Sequence, residues 1–185
     1  LLPIRHAFQR SRTVSRAGSV ISEISIEQVT PIVSVSPRLT IPRWAETTMQ
    51  PKPTTVVVDH MGRPDVTKPI DGPEFALFLK FMREHENVWS KVSCPERLSV
   101  SGPRALNGEQ AAYRDVVPFA QKVVEEFPDR VLWGTDWPHP NLKDHMPDDG
   151  LLVDFIPHIA TTKEAQRKLL VDNPMRLYWP DEWRK

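Results

Sequence analysis

Three short apolar runs follow one another along the chain, and each ends in ionisable residues and then in glycine or proline. The runs cover residues 54–59, 88–93 and 131–133. The first is continuously β-branched up to its last residue, which is typical of a strand buried on both faces of a parallel sheet. The second is less regular, because polar residues interrupt its apolar ones. We predict that these three runs are strands.

Between and after the strands, apolar residues recur with a helical period. The first stripe consists of Phe75, Phe78, Leu79 and Met82. A second stripe covers residues 109–127 and contains Pro118, which predicts either a kink or a break between two helical pieces. Two further helices are predicted over residues 151–159 and 163–171, with Thr162 as the N-cap of the last.

The order of these elements is strand, helix, strand, helix, strand, helix, helix. Strands that alternate with helices indicate parallel βα units, so we expect an α/β fold over residues 54–185. Three strands alone leave two open sheet edges and unopposed apolar side chains. The pattern therefore predicts a fold from which strands are missing.

Residues 1–53 have a different character from the rest of the chain. Residues 1–21 contain four arginines and no acid, and residues 29–41 mix β-branched residues with prolines. We predict that residues 1–53 form a disordered or non-native leader. An arginine- and serine-rich, acid-poor composition is also typical of an organelle targeting segment, which is the first alternative, and a folded unit is the second.

The charge is balanced, with 24 basic and 24 acidic residues, so the composition favours neither nucleic acid nor a membrane surface as a partner. No run approaches the ~18 apolar residues of a membrane span. Cys94 is the only cysteine, which excludes an intramolecular disulfide and favours a reducing compartment. We therefore expect a cytoplasmic protein, and the sequence leaves a homo-oligomer open.

Ionisable residues follow each predicted strand, where the loops of a parallel fold converge on one face. These residues are Asp59, His60 and Arg63 after the first strand, Cys94, Glu96 and Arg97 after the second, and Asp136 and His139 after the third. Asp136 suits the activation of water, and His60 suits the polarisation of a carbonyl. Arg63, Arg97 and His139 are candidates for binding a substrate carboxylate. Together they predict a hydrolase for a small anionic substrate.

Other interpretations of these residues remain open. A metal ion such as zinc could be held by His60, Asp136 and His139. Sites of that kind usually need further histidines from earlier strands, and His6 is the sole histidine before His60. We therefore expect no metal cofactor, with zinc as the alternative. Cys94 is a poor candidate nucleophile, because no pairing base is obvious, and we expect it to be buried.

Four segments resemble the amidohydrolase superfamily, in its amidohydrolase-related family 2, and the resemblance covers about residues 53–180. The segments are DHMGRP at 59–64, CPER at 94–97, WGTDWPHP at 133–140 and LVDNP at 170–174. The resemblance implies a (β/α)8 barrel in which the three predicted strands are the last three. It also implies that Asp136 is the general base, that His60 polarises the carbonyl, and that Arg63 and Arg97 hold substrate carboxylates.

Within that family the sequence is most similar to lactonases. The similarity implies hydrolysis of the lactone of a carboxylated pyrone, of the 2-pyrone-4,6-dicarboxylate type, in aromatic and lignin-derived catabolism. The similarity implies that the product is an open-chain tricarboxylate. It also implies a reaction without a divalent metal, although these lactonases share the fold of their relatives.

One departure from the family is visible in the sequence. The first strand of the family ends in His-x-His, which this sequence lacks, and residues 1–53 offer no room for five βα units. We therefore expect the C-terminal part of the barrel, truncated and weakly active or inactive alone. The alternatives are a metal-dependent hydrolase or decarboxylase of the same superfamily, and an inactive fragment that acts as a binding or assembly partner.

Overall fold

A computed structural model describes residues 33–35, 54–103, 112–139, 142 and 146–183 of the 185 residues. The described strands are β1 (Val33–Val35), β2 (Val56–Val58), β3 (Val88–Ser93) and β4 (Val131–Gly134). The described helices are α1 (Pro73–Glu84), α2 (Pro95–Leu98), α3 (Val117–Glu126), α4 (Asp149–Asp154), α5 (Ile156–Ile159), α6 (Lys163–Arg167), α7 (Asn173–Tyr178) and α8 (Pro180–Trp183). A 3₁₀ turn, Asp59–Gly62, follows β2, and a π-helical turn, Lys168–Asp172, joins α6 to α7.

The strands form one parallel sheet in the order β1-β2-β3-β4. Val57 of β2 lies opposite Trp89 of β3, and Lys91 of β3 lies opposite Leu132 of β4. The parallel sheet with helices between its strands confirms the α/β class. The three predicted strands are also confirmed, and β3 has the predicted bounds.

The sheet contains one strand more than we predicted, because β1 pairs in parallel with β2. This strand belongs to the segment predicted to be a disordered or non-native leader. The other residues of 1–53 lie outside the described part of the chain, so that prediction stays a prediction. Within the described ranges, none of the helices has the length and apolar character needed to cross a bilayer.

The hydrophobic core lies between one face of the sheet and the helices. The face of the sheet that takes part in it includes Val56, Val58, Val88, Val92 and Val131. From the helix side, α1 contributes the whole predicted stripe together with Phe81. The ring of Phe75 packs edge-on against Phe119 of α3, with centroids 5.0 Å apart. Burial of each such side chain stabilises the fold by about 1.5–3 kcal/mol, so this face holds the strands in place.

Two polar side chains, those of Arg130 and Asn173, connect the N-terminal ends of β3 and β4 to neighbouring helices. The guanidinium of Arg130 donates to the carbonyls of Met82, His85 and Val88, which joins the end of α1 to the start of β3. The amide of Asn173 is fully buried and donates to the carbonyl of Val131 at 2.8 Å and to that of Pro128 at 2.9 Å. Asn173 therefore fixes the start of β4 against α7.

Several predicted helices have different bounds in the structure. The helix predicted over 109–127 begins only at Val117, so Pro118 lies in its first turn, where its missing N–H breaks no hydrogen bond. The described residues just before it, 112–116, form turns. The predicted helix 151–159 is divided into α4 and α5, and Pro157 again lies in a first turn.

The C-terminal predictions are partly confirmed. The hydroxyl of Thr162 accepts a hydrogen bond from the amide of Ala165, which confirms the predicted N-cap. The helix predicted to end at residue 171 instead continues through the π-helical turn into α7. The predicted tail, residues 180–185, contains the short helix α8, which begins at a proline as helices often do.

We expect Asn173→Ala to lower the free energy of unfolding by about 2–4 kcal/mol, because the buried carbonyl of Val131 and the partly buried carbonyl of Pro128 lose their donor. Urea denaturation measures the change. Lys163→Ala, at an exposed position of α6, serves as the control and should change the free energy by less than about 0.5 kcal/mol. Equal effects of the two substitutions would contradict the role given to Asn173.

Candidate active site

The candidate residues lie where three neighbouring strands end. His60 follows β2, Arg97 lies in α2 directly after β3, and Asp136 follows β4. Parallel strands point the same way, so their carboxyl ends and the loops that follow meet along one edge of the sheet. The structure brings the side chains of His60, Arg97 and Asp136 into direct contact.

The backbone around these side chains adopts the left-handed conformation unusually often. Four consecutive residues, from His60 to Arg63, have φ values between 55° and 70°. Cys94 and Asp136 have φ values of 64° and 66°. Residues other than glycine adopt this conformation at a cost of roughly 1–2 kcal/mol each. Such strain persists where the surrounding structure fixes it, and it is common at functional sites.

The guanidinium of Arg97 is the centre of the site. Its Nη2 donates a hydrogen bond to Oδ2 of Asp136 and lies 3.1 Å from Nε2 of His60. Its Nε donates to the sulfur of Cys94. Nε2 of His60 also lies 3.8 Å from Oδ1 of Asp136. One positive group therefore joins an imidazole, a thiol and a carboxylate that come from three different strand ends.

His60 is held as a neutral imidazole. The residue is 5% exposed, and burial lowers its pKa to about 4, while the charges of Asp136 and Asp59 oppose that change and those of Arg97 and Arg63 add to it. A guanidinium only donates, so Nε2 accepts from Arg97 and the ring proton lies on Nδ1. Nδ1 is 2.8 Å from the hydroxyl of Ser93, whose oxygen accepts the hydrogen bond from that N–H.

Cys94 is a buried thiol, as the sequence predicts. It is 1% exposed, and burial, followed by the charge of Glu96, raises its pKa to about 12. The hydrogen bond from Arg97 opposes this rise without overcoming it. Because the thiolate is the nucleophilic form of cysteine, the raised pKa disfavours Cys94 as a nucleophile.

Arg63 is placed differently from Arg97. It is exposed, and within the described ranges no hydrogen bond or ion pair to its side chain is found. Its charge contributes to the lowered pKa of His60, so its guanidinium lies near that imidazole. Arg63 therefore offers the site a positive charge that is accessible from solvent.

The side chain of His139 is buried next to the site rather than exposed at its surface. Its side chain is 1% exposed, with Nε2 at 3.1 Å from Asp149 and Nδ1 at 3.4 Å from Glu96, whose own side chain is 0% exposed. The backbone amide of His139 donates to the carbonyl of Asp136 at 2.8 Å. His139 thus joins the loops after β3 and β4 to the start of α4 and supports the backbone of Asp136.

The residues that could hold a metal ion differ from the predicted set. Among the described residues, ligand atoms lie within 4.8 Å of one another in the group His60, Cys94 and Asp136, so a thiol stands where the sequence suggested His139. Arg97 donates to an atom of each of these three residues. A metal ion needs the same lone pairs and would meet a like charge. With Arg97 in place, the group therefore does not fit a divalent ion.

Sequence reasoning missed two members of the site. Ser93 is the last residue of β3 and orients His60, and Asp149 is the N-terminal residue of α4 and pairs with His139. The strand pattern could have identified Ser93, because a polar side chain at the carboxyl end of a buried strand faces the site. No pattern in the sequence joins Asp149 to a histidine ten residues earlier.

Comparison with known proteins adds relatives to this geometry. The amidohydrolase family model matches residues 41–179. A 2-pyrone-4,6-dicarboxylate hydrolase of Comamonas testosteroni is 88% identical over 130 residues, which cover 70% of this chain and 43% of that protein. A 4-sulfomuconolactone hydrolase of Hydrogenophaga intermedia is 40% identical over 124 residues, or 66% of this chain and 38% of that protein.

Solved structures give the same picture of partial coverage. The apo crystal structure of an Agrobacterium tumefaciens protein has a TM-score of 0.59 and 27% sequence identity, and the match covers 80% of this chain and 50% of that one. The chain spans less than half the length of the two curated relatives described above.

The lowered pKa of His60 predicts a pH-dependent stability. Above pH 6.5 the imidazole is neutral in both the folded and the unfolded chain. Between pH 6.5 and about pH 4, the unfolded chain takes up the proton and the folded chain does not, so the free energy of unfolding falls as the pH falls. The slope due to this residue approaches about 1.4 kcal/mol per pH unit.

Urea denaturation across this range measures the slope, and NMR titration of the imidazole gives the pKa directly. The slope should become shallower in His60→Gln and stay unchanged in His158→Gln, a substitution at an exposed position of α5. A titration midpoint of His60 near its ordinary value would show that the residue is not held neutral.

Proposed function

The chain belongs to the amidohydrolase family, and we propose that it carries the water-activating part of a hydrolase that opens lactones of carboxylated pyrones. The observation that carries this proposal is the contact of Arg97 with both Asp136 and His60 at the ends of three neighbouring strands. The two curated relatives described above are both hydrolases, one named for a pyrone dicarboxylate and the other for a muconolactone.

The proposed architecture is the last part of a (β/α)8 barrel. Four strands in consecutive order, with helices between the last three, support it, because a barrel of this type repeats one βα unit in that order. In such barrels the loops after the strands form the active site. The partial coverage of the relatives and of the solved structure agrees with a partial barrel.

Asp136 is the proposed general base. Its Oδ2 accepts a hydrogen bond from the guanidinium of Arg97, which holds the carboxylate in place, and a carboxylate can take a proton from water. The hydroxide then adds to the lactone carbonyl, and the bond between that carbon and the ring oxygen breaks. The proton held by Asp136 passes to the leaving oxygen, so the carboxylate is regenerated at the end of the reaction.

His60 is proposed to polarise the lactone carbonyl, which requires a proton on Nε2. In the substrate-free site Nε2 accepts from Arg97, so the proton lies on the other nitrogen. The hydroxyl of Ser93 can either accept from Nδ1 or donate to it. Ser93 therefore supports both tautomers, and the second becomes available when Arg97 turns from His60 towards a substrate.

Arg63 and Arg97 are the proposed ligands of the substrate carboxylates. Arg63 is exposed beside the site and can bind a carboxylate without breaking a contact with another described residue. Arg97 already donates to Asp136, so a substrate carboxylate that binds Arg97 competes with that bond. Substrate binding would then weaken the contact between Arg97 and Asp136, so that Asp136 is released to act as a base once the substrate is bound. The side chain of His139 is buried, which leaves it little direct access to a substrate. Its role in substrate binding stays a prediction.

We expect Asp136→Asn to lower kcat for 2-pyrone-4,6-dicarboxylate roughly 10²–10⁴-fold, which is the usual contribution of a general base. The test protein is a chimera in which the portion of the Comamonas testosteroni relative that precedes the match is joined to the matched region of this chain. Loss of the pyrone absorbance measures the rate. Asp65→Asn, at an exposed position, is the control.

The unmodified chain, measured beside the chimera, should be weakly active or inactive. A chimera that opens no lactone would reject the proposed reaction, and an Asp136→Asn chimera of full activity would reject the proposed base.

We expect Arg63→Met in the same chimera to raise KM about 10-fold or more while kcat changes little. Loss of a hydrogen bond to a charged group costs about 1.5–3 kcal/mol, and Arg63 has no role in water activation. Lys68→Met removes an exposed positive charge from the same segment between β2 and α1 and should leave KM unchanged. Equal effects of the two substitutions would indicate general electrostatic attraction rather than a specific contact.

A further inference from the structure

We propose that the guanidinium of Arg97 takes the position of a divalent metal ion and masks a latent site for soft metals made by His60, Cys94 and Asp136. In the native chain the cation of the site is then part of the protein itself. The proposal concerns metal binding and not the reaction, so it stands or falls independently of the proposed lactone hydrolysis.

The three residues have the composition and spacing of a metal site. Their ligand atoms are an imidazole nitrogen, a sulfur and a carboxylate oxygen, all within 4.8 Å of one another. These are the ligand types that Zn²⁺ and Co²⁺ use in proteins, and the sulfur favours the softer metals. His60 and Cys94 are buried and Asp136 is partly buried, so the nitrogen and the sulfur are shielded from bulk water while the carboxylate stays accessible.

Arg97 uses the atoms that a metal ion would need. Its Nη2 lies 3.1 Å from Nε2 of His60 and donates to Oδ2 of Asp136, while its Nε donates to the sulfur of Cys94. A neutral imidazole has a single nitrogen lone pair, and here that lone pair faces the guanidinium. A metal ion can therefore enter only where Arg97 leaves.

The contact with Cys94 distinguishes a masked metal site from a simple ion pair between Arg97 and Asp136. Neutralising Asp136 would need only the Nη2 contact, yet the guanidinium also turns Nε towards a thiol three residues earlier. Cys94 precedes α2 with a φ of 64°, and Arg97 lies within that one turn of helix, so donor and sulfur belong to the same local unit. Shortening the side chain of Arg97 would then uncover the ligands without removing any of them.

The test is a titration of metal-free protein with Co²⁺, followed by absorption spectroscopy, because a cobalt–thiolate bond gives an intense charge-transfer band. We expect Arg97→Ala to bind one Co²⁺ per chain with this band, as Co²⁺ displaces the thiol proton of Cys94 to the buffer, and the wild-type chain to show no band. Arg63→Ala removes a positive charge from the same face and leaves the three ligands covered, so it should behave like the wild type.

Further variants distinguish the folded site from accidental binding by a thiol. The band should be lost in Arg97→Ala/Cys94→Ser and should weaken strongly in Arg97→Ala/His60→Ala, while methylguanidinium should compete with Co²⁺ in Arg97→Ala. Should Arg97→Ala fail to fold by circular dichroism, Arg97→Met provides the uncharged variant of similar volume.

Two results would overturn the proposal. A wild-type chain that shows the thiolate band at the same Co²⁺ concentration as Arg97→Ala would mean that Arg97 masks nothing. Folded Arg97→Ala and Arg97→Met that bind Co²⁺ no better than Arg63→Ala would mean that the three residues are not a metal site.

Discussion

A single guanidinium joins the ends of three parallel strands, and the chemistry of the site depends on it. Arg97 contacts a residue after β2, a residue directly after β3 and a residue after β4. Without this cation, the carboxylate of Asp136 would lie beside a thiol and an imidazole with little to stabilise its charge. Removing one member of such a partly buried pair usually costs several kcal/mol, because the other charge is left uncompensated.

The protonation states around Arg97 follow from burial and from this positive charge. His60 and Cys94 are both buried, and burial favours the uncharged form of each, so the imidazole is neutral and the thiol keeps its proton. Arg97 itself stays protonated, because its contacts with Cys94 and the charges of Asp136 and Glu96 offset the effect of burial. The Arg97–Asp136 ion pair is therefore in contact with a neutral imidazole and a neutral thiol, while the charges of Asp59, Arg63 and Glu96 act on these groups from nearby.

Much of this arrangement could be predicted from the sequence, because it depends on local patterns. A β-branched run followed by His60, and an apolar run followed by Asp136, place both residues at the same sheet edge once the strands are parallel. The start of α3 was misplaced because the apolar stripe already begins before Val117, where the helix starts. Pairings between distant residues could not be predicted. From the sequence, Arg97 has a positive charge suited to a substrate carboxylate. Only the fold shows that this charge is already paired with Asp136.

The consecutive order of the strands also has a consequence for how the chain folds. Each of the described strands after β1 pairs with the described strand that precedes it in the chain, so the sheet can grow in the order of synthesis. The cluster around Arg97 does not share this freedom, since it needs Asp136 from the loop after the last strand. The cluster is therefore complete only after β4 has paired with β3.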